Sequence, residues 1–470
     1  MILAIARKEL VDAWRDGRMR WAAGVSVLLF LVALLLGAAH ERRARAERET
    51  AARLERETWL EQGEKNAHSA GHQGIHVFKP VAPLAAFERG IEPYVGTTVF
   101  LEAHRQNHAA FLPAQDASAM RRFGELTAAN GLQLLAPLLV VLLAFGSLAG
   151  ERERGTLRQT LSLGVRARTL VLGKALGLGA ALALVLAPVA LVGAWVLLRG
   201  PGAEEPGTRA RLVTLGGAYA VYLAGALGLC LLVSGLAGSA RAALATLLAC
   251  WAANAVVAPR LAADLVRHLQ PLPELSEFQA ALQRDLAQGI DGHDLRSARV
   301  AALAERTMRE HGVKRLEDLP FNFQGLAMIE SERLADEIHD RHFGALWDRL
   351  EAQDRSVTLA GLATPLLALR SASMALAGTD FTHHRAFAQA AEEHRRKLVL
   401  VLNEELMRAK DPHAPAGREL WERLPEFTHA LRSFPAALRS AAAGLAILVL
   451  WSAAVWGALL LLAPRLEARA

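Results

Sequence analysis

The chain has 470 residues, 53% hydrophobic and 21% charged, with a formal net charge of +6. Such a mixture reads as apolar blocks alternating with soluble ones. The bases are interleaved with Glu and Asp and carry no aromatic stripe, which argues against a nucleic-acid partner; Cys230 and Cys250 both sit in apolar runs, so neither a disulfide framework nor a zinc knuckle is indicated.

From the N-terminus, Ile2, Leu3, Ile5, Ala6, Leu10, Val11 and Trp14 recur at helical spacing, with Arg7, Lys8, Asp12, Arg15 and Asp16 on much of the other face. This predicts a helix lying in the headgroup plane, with a disordered basic leader as the alternative. The run Trp21–Ala39 is too long for a secretory signal and reads as a retained anchor. Since about 20 apolar residues cross the hydrocarbon, further spans are predicted at 128–149, 170–198, 212–237, 242–258 and 441–463. A backbone in lipid must satisfy its own polar groups, and no alternating strand pattern is present, so the spans are helices rather than barrel strands.

The expected fold is therefore all-α and polytopic. Residues 1–39 form the interfacial helix and first span, 40–127 an extracytoplasmic loop, 150–169 a cytoplasmic segment and 259–440 a mostly helical extracytoplasmic domain. Within the last, Leu326, Ile329, Leu334, Ile338, Phe343, Leu346 and Leu350 approximate a 3–4 spacing. Residues 356–378 are apolar but contain Pro365 and Arg370, and are read as a buried or membrane-surface helix rather than a seventh span. Orientation follows from Arg152, Arg154, Arg158, Arg166, Arg168 and Lys174, which place 150–174 on the cytoplasmic side together with both termini. Arg42, Arg43, Arg45 and Arg48 then lie outside, in a long loop that escapes the rule.

The charged knuckle Gly150-Glu151-Arg152-Glu153-Arg154-Gly155-Thr156-Leu157-Arg158 lies between two apolar runs, where a partner could grip the spans from the water. Its Gly150-Glu151 and Gly155-Thr156-Leu157, followed by Arg166, Arg168 and Lys174, resemble the loop of ABC-2 type transporter permeases. The resemblance extends through Gly63-Glu64-Lys65-Asn66, His68-Ser69, His72, Phe78-Lys79-Pro80, Leu101-Glu102-Ala103-His104, Arg122-Phe123-Gly124-Glu125-Leu126 and Ser373–Asp380 with His383-His384. The order of these motifs is similar to that of the subfamily with an extracytoplasmic DUF3526 region.

The resemblance implies a non-catalytic permease subunit in the bacterial cytoplasmic membrane, surrounded by lipid. It implies a coupling helix in which Glu151, Arg152, Glu153, Gly155, Thr156, Leu157 and Arg158 meet an ATPase. The implied partners are an ABC ATPase dimer, which carries ATP and Mg, and a second permease subunit, identical or related. The family leans towards export. The chain itself has no P-loop, since Gly173-Lys174 lacks the upstream glycine and the following hydroxyl residue. It also has no His-Glu-x-x-His and no Gly-x-Ser-x-Gly, so enzyme chemistry is not expected.

Two sets of residues stay open between readings. Asn130, Gln133, Tyr219, Tyr222, Thr246 and Asn254 are polar within spans, and either line a substrate path or bond helix to helix. His68, His72 and His76, with His104 and His108, recur at intervals of four and would share a helical face suited to zinc or copper. Gly71 and Gly74 argue against a helix there, and hydrated loop histidines are the alternative. The rival function is a membrane-anchored extracytoplasmic binding, sensing or metal-handling protein without transport.

Overall fold

The computed structural model describes residues 1–113, 127–294, 296–409, 411 and 413–465, apart from the side chain of Arg18. The Arg122–Leu126 motif lies outside these residues. Among them, six helices are long and apolar enough to cross a membrane. They alternate in direction, so the charged knuckle lies at one end of the bundle and a mostly helical head at the other.

Helix α1 (Ile2–Arg15) buries Glu9 and ends where Asp16 turns extended. It packs along the third span. Two glycines of that span permit the approach. A Cβ on Gly173 would stand 2.7 Å from the Ile5 Cβ, and one on Gly177 would stand 2.5 Å from the Ala6 carbonyl oxygen. Helix α2 (Gly17–Leu60) contains the first span and continues without a break through Glu41–Leu60. That extension is rich in Ala, Glu, Arg and Leu, all strong helix formers, and Arg43 pairs with Glu47 one turn on at 2.7 Å.

The loop that follows holds more regular structure than its composition indicates. Strand β1 (Lys65–Asn66) leads into α3 (Ala67–Gln73), then come β2 (Ile75–Phe78) and β3 (Thr98–Leu101). Strands β2 and β3 pair antiparallel with Ile75 opposite Leu101, while β1 pairs with β4 (Pro415–Ala416). These ladders are short additions to an otherwise helical protein.

The second span is α4 (Ala128–Ala144), continued by α5 (Ala149–Glu153) after a turn. Residues 150–169 are not one helix. Gly155 (φ +76°) and Gly164 (φ +82°) sit in the left-handed region and divide them into α5, α6 (Thr156–Ser162) and the start of α7 (Ala167–Arg199). Helix α8 (Thr208–Leu236) is the fourth span. The fifth begins with α9 (Ala240–Ala252) but does not stop at Ala258. A π turn at Ala253–Val257 carries it into α10 (Ala258–Leu269). Pro259 has no N–H to offer the ladder, and sitting in the first turn after the wider coil it needs none.

The head contains α11 (Leu275–Leu286), α12 (Ala298–His311), the long α13 (Phe323–Ala360), α14 (Pro365–Ala377), α15 (Phe381–Arg408) and α16 (Arg418–Arg423). The last span is α17 (Phe434–Leu462). Residues 356–378 form the end of α13, a turn and α14, not a single helix. Helix α14 is buried almost throughout, between α8 and α17. A Cβ on Gly444 would lie 2.5 Å from the Ala368 carbonyl oxygen, which shows how closely α14 and α17 approach. Leu84 and Ala86 enter the same apolar core, so part of the 79–97 segment also dips among the span helices.

The Gly177 contact gives a direct test. Gly177→Leu is expected to lower stability by about 1–3 kcal/mol through overpacking against α1. Gly179, whose added Cβ would meet nothing nearer than 3.8 Å, should accept Ala without loss. Thermal melts of both variants in detergent check this, and equal melting temperatures would remove the packing argument.

Candidate functional site

The knuckle is braced to three other parts of the fold. The Ser234 hydroxyl, wholly buried on α8, accepts from the backbone N–H groups of Leu148 (3.1 Å) and Ala149 (3.0 Å) and donates to the Phe145 carbonyl (2.7 Å). Arg152 donates to the carbonyls of Gly235 (2.8 Å) and Ala237 (2.6 Å), closing the C-terminal end of α8 where a cation is favoured. Leu157 is fully buried, worth about 1.5–3 kcal/mol of apolar transfer.

Glu151 turns inward as well. Its Oε1 lies 2.9 Å from Lys174 Nζ and 3.0 Å from Lys8 Nζ. Lys174, 1% exposed, also reaches Glu9 Oε1 at 2.8 Å, and Lys8 reaches the same oxygen at 3.1 Å. Two lysines and two glutamates thus form a cluster joining α1, α5 and α7, and Lys8, at its exposed edge, also pairs with Asp12 at 3.4 Å. The members of the predicted coupling set therefore divide. Glu151, Arg152 and Leu157 hold the knuckle in place, while Glu153, Gly155, Thr156 and Arg158 are exposed at its tip, and Arg154, outside that set, is exposed beside them.

The polar residues of the spans divide too. Gln133 donates to Tyr219 Oη (2.9 Å) and to Glu88 Oε2 (3.0 Å), and accepts from Arg370 Nε (3.1 Å). Ser373 completes this buried network at 2.9 Å from Glu88. Tyr222 and Asn254 bond to one another at 3.4 Å and line a cleft of about 480 Å³ with Pro137, Cys250, Trp251 and Trp451. Asn130 stands in the first turn of α4, where its N–H meets Thr127 Oγ1, and Thr246 is exposed on the outer face of α9.

In the head, three of the five singled-out histidines converge. Helix α3 does form despite Gly71. Asn66 caps it by accepting from His68 N–H (2.9 Å) and Ser69 N–H (3.3 Å), and Gly74 ends it with φ +63°. His68 and His72 then share one face, with their Nε2 atoms 3.1 Å apart. His104, at φ +64° in the turn after β3, brings its Nε2 to 3.3 Å from that of His68. The fourth member, His293, comes from the loop between α11 and α12. Its Nε2 lies 3.0 Å from His104 and 3.4 Å from His68, and all four ligand atoms lie within 4.8 Å of one another.

Behind the cluster, His68 Nδ1 faces Asn403 Oδ1 (2.8 Å) and His104 Nδ1 faces Glu332 Oε1 (2.7 Å). Glu332 is held in turn by Arg395 at 3.0 Å. Burial pushes His68 down to about 4, with the neighbouring imidazoles acting in the same direction against the Asn403 bond. Burial and the adjacent rings also lower His72 and His293. Glu332 is buried, yet the His104 bond and the Arg395 charge bring it down to about 2.

His76 and His108 do not join. His76 sits on β2, bonded to Glu55 at 3.2 Å and stacked on Phe100, and His108 packs between Phe278 and Phe343. His342 pairs with Asp285 (2.8 Å) and His383 with Asp380.

A sequence profile described as ABC-2 family transporter protein matches residues 3–288. The chain belongs to this family. A second profile, the domain of unknown function DUF3526, matches residues 276–430. No individual curated protein matches the chain detectably. As an ABC-2 family member it is a membrane-spanning permease subunit of an ABC transporter, with its knuckle and three of its clustered histidines in the first matched region. His293 and Glu332 belong to the second.

Sequence reasoning missed His293, Lys8 and Glu9 as partners. A lone His in a Gly- and Asp-bearing loop gives no spacing signal, and the α1 charges lie far from Glu151 in the chain. The lysine at 174, isolated in an apolar run, was the available clue, because a buried charge requires a counter-charge. Lys174→Ala is expected to strand Glu9 and Glu151 and destabilise the protein by about 3–5 kcal/mol, whereas exposed Arg158→Ala should stay within about 0.5 kcal/mol. Melting temperatures of the two variants check this; a Lys174→Ala melt close to wild type would refute it.

Proposed function

We propose that this permease subunit works in the bacterial cytoplasmic membrane, with the knuckle on the cytoplasmic side and the head outside. A separate ABC ATPase dimer, holding ATP and Mg, docks on the exposed tip of α5 and α6. A second permease subunit, identical or related, completes the membrane part. ATP-driven closure of the ATPases presses on the knuckle and tilts the spans, moving an export substrate past the cleft beside Tyr222 and Asn254.

The observation that carries this reading is the division within the knuckle. Its inward residues anchor it to α1, α7 and α8, while Glu153, Arg154, Thr156 and Arg158 stand exposed on that rigid base. A loop that merely met solvent would not require the buried Lys174, held by Glu9 and Glu151, beneath it. The excess of arginine around the knuckle supports its cytoplasmic placement. The buried network around Gln133 and Tyr219 is read as a brace between helices, and only the cleft-lining residues as a path.

The test separates docking from folding. Arg154→Glu combined with Arg158→Glu is expected to abolish copurification of the ATPase while leaving the melting temperature unchanged, because both side chains are exposed. Copurification retained in the doubly reversed protein, or no ATPase recovered with the wild type, would overturn the reading in favour of an anchored protein without transport.

A further inference from the structure

The four clustered histidines come from three stretches of chain, yet each presents Nε2 to one common point. Hydrated loop histidines would scatter these atoms. Four of the six pair separations run from 3.0 Å for His104–His293 to 3.4 Å for His68–His293, and all lie within 4.8 Å. In a tetrahedral zinc site with Zn–N bonds of about 2.0–2.1 Å, ligand nitrogens stand about 3.4 Å apart. The spacing therefore matches a set of ligands to a single ion.

The atoms behind the rings agree. An acceptor oxygen on Nδ1 calls for the proton on that nitrogen and leaves the Nε2 lone pair free to coordinate. His68 has such an acceptor in Asn403 Oδ1 and His104 has one in Glu332 Oε1. Lone pairs aimed at one another repel, and a cation at their common point satisfies them together.

We propose that His68, His72, His104 and His293 form a tetrahedral binding site for Zn²⁺, and that the ion fastens the His293 loop to the base of the head. Imidazole nitrogen suits zinc, whereas Mg²⁺ and Ca²⁺ take oxygen ligands and Cu²⁺ favours a tetragonal arrangement. Four protein ligands complete the tetrahedron and keep no open position for catalysis, so the ion acts structurally. His72 and His293 are exposed, which gives the ion an entry from water. The clasp joins the two matched regions of the chain, since three ligands lie within 3–288 only and His293 lies within 276–430. Ser331, which donates to the Ile290 carbonyl at 2.7 Å, and the Asp291 turn hold the loop in reach.

The inference does not rest on ATPase docking and is tested on the purified full chain alone. After chelation and dialysis against Zn²⁺, the wild type is expected to retain one zinc per chain. His293→Ala and His68→Ala should each weaken binding at least about 100-fold, and His76→Ala, outside the cluster, should leave it unchanged. Because His293 is an exposed loop residue, its variant is expected to keep the wild-type fold, checked by circular dichroism. Co²⁺ loading should give the visible absorption of a tetrahedral site. Zinc should slow amide exchange over residues 287–294 in the wild type but not in His68→Ala. No zinc retained at micromolar concentration, wild-type affinity in folded His293→Ala, or a tetragonal Cu²⁺ spectrum without zinc retention would each overturn the proposal.

Discussion

A positive charge buried at the edge of a span requires negative charge beside it, and much of the architecture at the knuckle end follows from Lys174. In a low-dielectric setting an unpaired ammonium is strongly unfavourable, so its partners must arrive with good geometry. Glu9 and Glu151 supply them at 2.8 and 2.9 Å, and Lys8 pairs with both glutamates from the exposed side. For Glu9 to reach, α1 must lie directly against α7, which is possible only where Gly173 and Gly177 leave out a side chain. For Glu151 to reach, the chain must turn sharply after α4, and that turn is fixed to α8 by Ser234 of α8 and by Arg152, which donates to the end of α8. The charge cluster, the glycines and the turn are therefore one constraint seen from three sides. Such a cluster adds little net stability over a well-packed apolar core, but it specifies a unique arrangement of α1, α5 and α7.

At the other end, head and bundle are joined by backbone approaches rather than by a linker. A Cβ on Gly37 would stand 2.0 Å from the Ala86 carbonyl oxygen, and one on Gly202 would stand 2.4 Å from that of Pro83. Glu88 then bonds Gln133 of α4 and Ser373 of α14. Arg211 of α8 donates to the Leu376 carbonyl at 3.0 Å. Close-packed interiors transmit displacement instead of absorbing it. The 44-residue α2, about 66 Å long at 1.5 Å per residue, adds a continuous rod from the α1 turn to the strand β1.

The six apolar helices were legible because a length of apolar chain is a strong local signal. Their limits were less so. The apolar pattern ends the fifth span at 258, yet a π turn carries the helix past Pro259, and it ends the first at 39, yet α2 runs on to Leu60. The histidines show the same boundary between local and long-range information. The spacing of four is meaningful for His68 and His72 because a capped helix forms there. It carries no information for His76 on a strand, or for His104 and His108 in a non-helical turn. His293 is separated from His68 by 225 residues, and no period links them. Likewise the charge of the knuckle was visible, but which of its residues face inward depends on Lys8, 143 residues away. What the sequence concealed is tertiary pairing, and it did so where a buried polar group had to find a distant partner.

Transport on the proposed reading needs more than rigid contact, since coupling requires an element with two arrangements. The braces described above exclude several places for it. Helix α14 is locked between α8 and α17, and α1 is tied to α7 by packing and charge together. What remains adjustable are the interruptions at the knuckle end and in the fifth span: the extended Asp16, the left-handed Gly155 and Gly164, and the π turn at Ala253–Val257. The π turn lies beside the cleft that Tyr222 and Asn254 line, and Asn254 is itself one of its residues. Returning that turn to α geometry would rotate everything beyond it, including α10, and withdraw Asn254 from Tyr222 and from the Leu366 N–H it accepts at 3.3 Å. A push on the exposed tip of the knuckle would therefore find its least resistant outlet in the fifth span, the one whose apolar window is least buried by the rest of the chain at 11%.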